Sequence, residues 1–426
     1  MNTTTSFNGS RGLRYPAPDV ARGFMLLLIA LANVGFWSYG TGRFTPLTAD
    51  RIWAFINALL IHERAYPLFA LLFGFGLATM VNRRIASDAG AYCQDLTGGL
   101  RAPSAAEVSQ ACEQATVGAR RLVRRRGLWM VLFGAAHAVL FSGDIIGTYG
   151  LAAVVFAGWL TRKHRKRAMA VSVVATVATI STMHTMGSHV AAQGLSAAAV
   201  MKQGAGESAT TLLSYVSHGV TAWAVNLSTT PISLVVPAMF LGARLADTDL
   251  IAHPERHRRL LTGVGLGGLG IGAVGGIGVA QWATGGSLNL WAVPLHQVAG
   301  LAGACGWLAL LALYAGGPRP DGRLTGLRKL ASNVGRRSMT AYLSQTFLFA
   351  TIFLALPALT GIQLHLGEVR AAGIAAVVWL ATVGLCSVLE RGGHAGPFEA
   401  LLRTAVARSE RKRATAAPPT AQPDDA

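Results

Sequence analysis

Two apolar runs with one carboxylate between them limit what this chain can become. Gly127–Phe141 reads GLWMVLFGAAHAVLF and Ile145–Leu160 reads IIGTYGLAAVVFAGWL, separated by Ser142-Gly143-Asp144. Arg120-Arg121-Leu122-Val123-Arg124-Arg125-Arg126 precedes the pair, and Arg162-Lys163-His164-Arg165-Lys166-Arg167 follows it. Two apolar stretches with basic outer ends and a nearly uncharged turn have the pattern of a transmembrane hairpin. Positive residues favour the cytoplasmic side, so the basic ends are expected there and Asp144 on the far side.

Similar runs recur through the 426 residues, of which 52% are hydrophobic and 13% charged. Soluble globular chains carry about 25% charged residues. The ten-residue alternation of a membrane barrel is absent. The expected fold class is all-α: a polytopic transmembrane helix bundle of about ten spans, in a range of about eight to twelve, with both termini cytoplasmic. The spans are read at 20–37, 66–81, 127–141, 145–160, 168–186, 227–246, 260–282, 291–314, 338–356 and 371–389. The stretches 52–64 and 205–226 are ambiguous. The first holds an aromatic amphipathic piece, Ile52–Leu60, expected at the membrane interface. Residues 1–19 form an N-terminal cytoplasmic segment, and 20–389 the transmembrane domain with a cytoplasmic loop at 82–126. Residues 390–426 form a cytoplasmic tail, expected to be disordered from about residue 410.

A net charge of +18 would suggest nucleic acid in a soluble protein. Here most Lys and Arg fall between spans; only Arg43, Arg51, Arg64, Lys202 and Arg370 lie outside or at the outer interface. Positive-inside topology accounts for the charge, so the expected partner is the lipid bilayer and not nucleic acid. Cys93 and Cys112 share the cytoplasmic loop and are expected as reduced thiols.

Lipid tolerates ionisable side chains only where they pair or face a cavity, so those at membrane depth are the chemical candidates. His137 and Asp144 stand seven apart, two turns along nearly one helix face. His137 is a candidate base, and Asp144 either a solvated turn residue or an outer carboxylate that orients an acceptor; Tyr149 can donate a hydrogen bond inward. His62-Glu63-Arg64 is either solvated at the outer edge of the second span or a site in which His62 is a general base and Glu63 sets its tautomer. Asp19 and Arg22 share a face at the inner end of the first span. They are either a cap and an interfacial anchor or an ion pair that holds an anionic cofactor group. Asn33 is read as an amide that bonds a neighbouring helix, whereas Tyr342, Ser344, Gln345 and Thr346 either bond neighbouring helices or line a substrate path. Met183-His184-Thr185-Met186 with His189 lacks further ligands, and no metal is expected. Gly265-x-Gly267-x-x-Gly270 matches a dinucleotide fingerprint in letters only, because no strand precedes it. Gly268, Gly272 and Gly276 instead form a flat face for close helix packing.

Taken together, several segments resemble the YeiB-like family of bacterial multi-pass membrane proteins. They are Asp19-Val20-Ala21-Arg22-Gly23-Phe24 leading to Asn33; Tyr66-Pro67-Leu68-Phe69 through Gly76; His137 with Gly143-Asp144-Ile145-Ile146 and Tyr149-Gly150; Pro237 with Leu241-Gly242; Gly335-Arg336 through Gln345; and Gly396-Pro397-Phe398-Glu399 with Leu402-Arg403. That family is more distantly similar to transmembrane acyltransferases, including the heparan glucosaminide acetyltransferase group. The resemblance implies a bacterial plasma (inner) membrane protein that moves an acyl group from cytoplasmic acyl-CoA to an extracytoplasmic hydroxyl or amine acceptor such as a glycan. Arg22 lies where that superfamily keeps an Arg on span one. Where one branch places a catalytic His, this chain has Asn33, and His62 only loosely matches the outer-loop His of another.

On this expectation His137, His62 and Asp144 are the catalytic candidates. Asp19, Arg22, Asn33, Tyr149, Tyr342 and Gln345 are the candidates for binding acyl-CoA. The alternative is a small-molecule transporter or exporter in which His137 or Asp144 relays protons. A homo-oligomer is compatible with either.

Overall fold

The computed structural model describes residues 15–38, 47–204, 212–318, 323–362, 364 and 366–415, with no strand among them. In chain order the helices are α1 (Pro16–Ser38), α2 (Thr48–Leu60), α3 (Ala65–Thr97), α4 (Ala105–Ala138), α5 (Ile146–Thr161), α6 (Arg165–Ala192), α7 (Ala197–Gly204) and α8 (Leu212–Thr229). They continue with α9 (Val235–Leu245), α10 (Arg258–Ala283), α11 (Ala292–Ala315), α12 (Gly326–Gly335), α13 (Ser338–Ala350), α14 (Leu356–Thr360), α15 (Glu368–Arg391) and α16 (Pro397–Thr415). A π-helical segment, Thr351–Ala355, joins α13 to α14. The fold is an all-α polytopic membrane bundle. Seven helices are long and apolar enough to cross a membrane, or eight if the α8–α9 pair, bent by 55°, is one span. One face, where α1, α6, α10 and α13 begin, gathers the arginines and is called here the basic face.

The deficit against ten full crossings lies chiefly in the hairpin. The apolar end of α4, Gly127–Ala138, rises only about 18 Å and α5 about 24 Å, against a hydrocarbon core of about 30 Å. The turn therefore ends inside the protein, and α8 closes over it. The Tyr215 hydroxyl donates to the Leu140 carbonyl at 2.8 Å, and Gly219 sits against the Ala138 carbonyl. Asp144 is 4% exposed, not solvated at an outer turn.

The expected loop at 82–126 is a helical arm made by the ends of α3 and α4, with Ala89, Ala111 and Ala115 as its small core. α3 ends at Gly98 in the left-handed region (φ 59°), a conformation that costs glycine little. α4 starts with a capping box of Ser104 and Glu107. α16 lies on α4: the Trp129 indole donates to Ser409 Oγ at 2.9 Å, and Arg125 pairs with Glu410 at 3.0 Å. α16 runs to Thr415. The rest of the tail, residues 1–14, Arg43 and the Lys202 side chain lie outside the described residues.

α2 is not an interfacial helix. It packs against α10 and α15, and the Trp307 indole donates to the Leu60 carbonyl at 2.8 Å. The chain breaks over residues 61–64, where Glu63 takes φ 61°, and α3 continues toward the basic face. Arg64 is wholly buried at this break. It donates to the His62 and Gly272 carbonyls and to His296 Nδ1, the last at 2.9 Å. Gly272 and Gly303, which flank it, each stand about 16 Å from the far end of their helix, near mid-membrane. The glycines of α10 and α11 make this room: a Cβ at Gly303 would lie 2.7 Å from Arg64 Cγ, and one at Gly276 2.9 Å from both Arg64 Nη2 and the Ala58 carbonyl. Gly303→Val is expected to lower stability by about 1–3 kcal/mol, read as a fall in thermal midpoint in detergent. Gly270→Val, with nothing within 4 Å of its Cβ, is expected to leave the midpoint unchanged.

The arm carries a pH signature. Hydrogen bonds from Arg101 and then from Ser104 hold the Glu107 carboxyl down at about 2. A depressed carboxyl stabilises the fold above its unfolded pKa of about 4.3, and that contribution disappears as pH falls through about 2. A spin label on exposed Cys112 is expected to stay immobilised at pH values above the unfolded pKa and to gain mobility in strong acid. In Glu107→Ala the label should already be mobile at neutral pH.

Candidate functional site

His137, on the last turn of α4, is held at both ring nitrogens. Nδ1 lies 2.8 Å from Asp144 Oδ1, and Nε2 lies 2.8 Å from Thr346 Oγ1 on α13. Asp144 also accepts from the Ile146 and Gly147 amides at 3.1 and 2.7 Å, where α5 begins, and from the Trp223 indole at 3.3 Å. The Gly134 and Gly147 backbones close in on Oδ2, and a Cβ on either would collide with the carboxylate. A carboxylate only accepts, so His137 donates from Nδ1 and presents a lone pair at Nε2 to the Thr346 hydroxyl. Asp144, His137 and Thr346 thus form an acid–imidazole–hydroxyl relay with the mutual geometry of a nucleophilic triad.

A hollow of about 370 Å³ runs into the bundle from the basic face, between α1, α3, α4 and α13. Asp19, Arg22, Arg126, Arg336 and Glu399 stand at its outer part, and Met25, Phe69, Leu72, Phe73, Met80 and Met130 line it. Its inner wall includes Tyr342 and Ile146. The Tyr342 ring meets His137 edge-on at 5.2 Å, and its buried hydroxyl makes no well-formed hydrogen bond. An adjoining recess of about 510 Å³ adds Arg337, Glu390 and Arg403, so arginines outnumber carboxylates five to three around the mouth. Asp19 and Arg22 pair at 3.6 Å, and Arg22 donates to the Leu72 carbonyl at 3.0 Å. Arg336 and Arg337 both pair with Glu390. Glu399 accepts from the Met339 and Thr340 amides, so its charge sits on the helix N-terminus. Arg126 makes no ion pair among the described residues; its guanidinium lies 3.9 Å from Met80 Sδ.

On the side away from the hollow an aromatic plug covers His137. Phe141 stacks on Trp37 at 5.7 Å and takes Phe36 edge-on at 4.9 Å, while Trp37 packs on Phe349 at 6.2 Å.

The structure thus brings Asp19, Arg22 and Tyr342 to one hollow, with His137 and Asp144 just behind its inner wall. Tyr149 stacks on Phe69 and donates to the Tyr66 carbonyl at 2.9 Å. Gln345 donates to the Leu26 carbonyl at 3.3 Å, a helix-to-helix bond. Asn33 is half-buried on α1 beyond the hollow. His62 is separate: it lies 3.2 Å from His296 Nε2 in the broken span, with Glu63 Oε1 at 3.7 Å. Thr346 as a partner of His137, Trp223, Arg126 and His296 were not legible as site residues. A buried Arg in a basic cluster looks like any topogenic charge, and a Trp on an ambiguous segment carries no address. Among the described residues no group of His, Cys, Asp and Glu could hold a metal ion.

A family of membrane proteins described as Protein of unknown function (DUF418) has a model that matches residues 245–409. No curated protein and no solved structure matches the chain. The matched segment contains Arg336, Tyr342, Thr346 and Glu399; His137 and Asp144 lie before it.

Asp144→Asn replaces an acceptor of four bonds with a group that must donate from one end, leaving a buried amide or indole unpaired. The expected cost is about 1–3 kcal/mol, with a shift in the Trp223 contribution to fluorescence, both absent in Asp249→Asn on the exposed surface.

Proposed function

We propose that this protein is an acyltransferase of a bacterial inner membrane. It takes an acyl group from cytoplasmic acyl-CoA and passes it to a hydroxyl or amine acceptor, such as a glycan, on the other side. The observation that carries this reading is the hollow, whose arginine-rich mouth leads through an apolar barrel to Tyr342, one ring away from His137. A phosphorylated head with a slim thioester arm matches that division: guanidinium groups take phosphate, and an apolar bore takes the acyl chain. Arg126 makes no ion pair among the described residues, so its guanidinium is available to a phosphate. Asp144 fixes the His137 tautomer, which leaves Nε2 as the base. The likeness of the sequence segments to the YeiB-like family agrees with this reading. His62 has no role in it.

One feature favours a second reading, a proton-coupled transporter. α2 and α3 are a span broken at membrane depth, with His62, Glu63, Arg64 and His296 gathered at the break, as discontinuous helices are in transporters.

Binding separates the two. Purified full-length protein is expected to bind acyl-CoA in a salt-sensitive way. Arg126→Ala should remove a charge-assisted contact of about 1.5–3 kcal/mol, raising Kd about ten- to hundred-fold, with Arg51→Ala neutral. Absence of binding, together with His62-dependent proton flux in sealed vesicles, would replace the first reading with the second.

A further inference from the structure

Thr346, like Thr340 on the same helix, departs from the habit of most helical threonines. Thr79, Thr116, Thr161, Thr176 and Thr179 all donate back to the carbonyl four residues earlier, the usual habit of a buried hydroxyl in a helix. Thr346 instead turns its hydroxyl to His137 Nε2 at 2.8 Å. It is 4% exposed, and the imidazole it faces is oriented by Asp144. One turn earlier on the same face of α13, the Tyr342 hydroxyl is buried without a well-formed partner and lines the hollow. A nucleophile, a base and an orienting carboxylate therefore meet, with an unused donor on the preceding turn of α13.

We infer that Thr346 carries the acyl group covalently between donor and acceptor. This rests on the acyl transfer proposed above. In the first half, His137 Nε2 takes the Thr346 Oγ proton as Oγ attacks the thioester carbonyl carbon. The Tyr342 hydroxyl donates to the oxygen that gains charge. The carbon–sulfur bond breaks, and the sulfur takes the proton from Nε2 and leaves as the free thiol, which returns His137 to its neutral form. In the second half, the acceptor hydroxyl or amine gives its proton to Nε2 and attacks the Thr346 ester. The carbon–Oγ bond breaks and Oγ recovers the proton.

The access routes favour two steps over one. The hollow ends at Tyr342, while Phe141, Trp37 and Phe349 cover His137 from the other side. Direct transfer needs both openings at once, and with them a continuous path through the membrane. An ester on Thr346 lets the donor side close before the acceptor side opens.

The test uses full-length protein in nanodiscs with radiolabelled acetyl-, octanoyl- and palmitoyl-CoA and no acceptor, followed by proteolysis and mass spectrometry. Expected are label on the peptide bearing Thr346, stoichiometric release of free CoA, loss of label in Thr346→Val and His137→Gln, and its return in Thr346→Ser. Acyl-CoA binding by Thr346→Val shows that the variant is folded; if it does not bind, Thr346→Ser and the wild-type labelling site carry the test. Wild type that transfers acyl groups to acceptor without ever carrying label overturns the covalent step and leaves the acyltransferase reading intact. Wild type that neither binds nor consumes any of the three thioesters overturns both.

Discussion

Charge inside a membrane has to be solvated by the protein itself, and the hydrogen bonds around Asp144 show how far that requirement shapes this bundle. A hairpin too short to cross leaves its turn carboxylate buried inside the protein. Unpaired there, it would cost several kcal/mol. The chain answers with two amides at the start of α5, an indole from α8 and the imidazole of α4. Each partner comes with its helix, so the carboxylate is a shared hydrogen-bond acceptor where α4, α5 and α8 pack together. α8 is bent off α9 and laid over the turn, and α13 reaches the same point through Thr346.

Arg64 is a second instance with a different solution. A guanidinium near mid-membrane needs acceptors, and the broken α2–α3 span supplies one while α10 and α11 supply the others. A break is tolerated at that depth because it is buried in protein. The cost falls on the two helices that must make room, and glycine is the residue that lets them. Glu63 and Arg64 still leave Oε2 and Nε without partners, which keeps this cluster the least satisfied polar region of the described bundle core.

The hollow follows from the same rule applied at the basic face. Helices that begin there bring their arginines, and the carboxylates that pair them, Asp19 and Glu390, stand beside the opening. Glu399 is taken by the amides of α13 and does not neutralise a guanidinium directly. What remains is a mouth with surplus positive charge and an interior of Met and Phe side chains, a shape suited to an anionic head with an apolar arm. The functional reading draws on this division of polarity more than on any single residue.

The sequence by itself determined the class: apolar runs with basic brackets cannot be anything but membrane helices, because no other arrangement satisfies both lipid and backbone. It also marked His137, Asp144, Asp19, Arg22 and Tyr342 as worth attention, since ionisable groups at that depth are rare, and it read the glycine face of α10. Only the tertiary structure decided which of them meet. A separation of seven positions from His137 to Asp144 allows a bond but does not require one; Asp144 could have faced water, and the short apolar stretch of α4 together with the cover of α8 is what prevents it. Thr346, 209 residues away from His137, was one polar residue among several on its span until helix packing turned it toward the imidazole. His62 looked equal to His137 on paper, and the break after α2 sent it to His296 instead. Depth and polarity are written locally along a membrane helix, whereas partnership depends on crossing angles and breaks that local sequence does not encode.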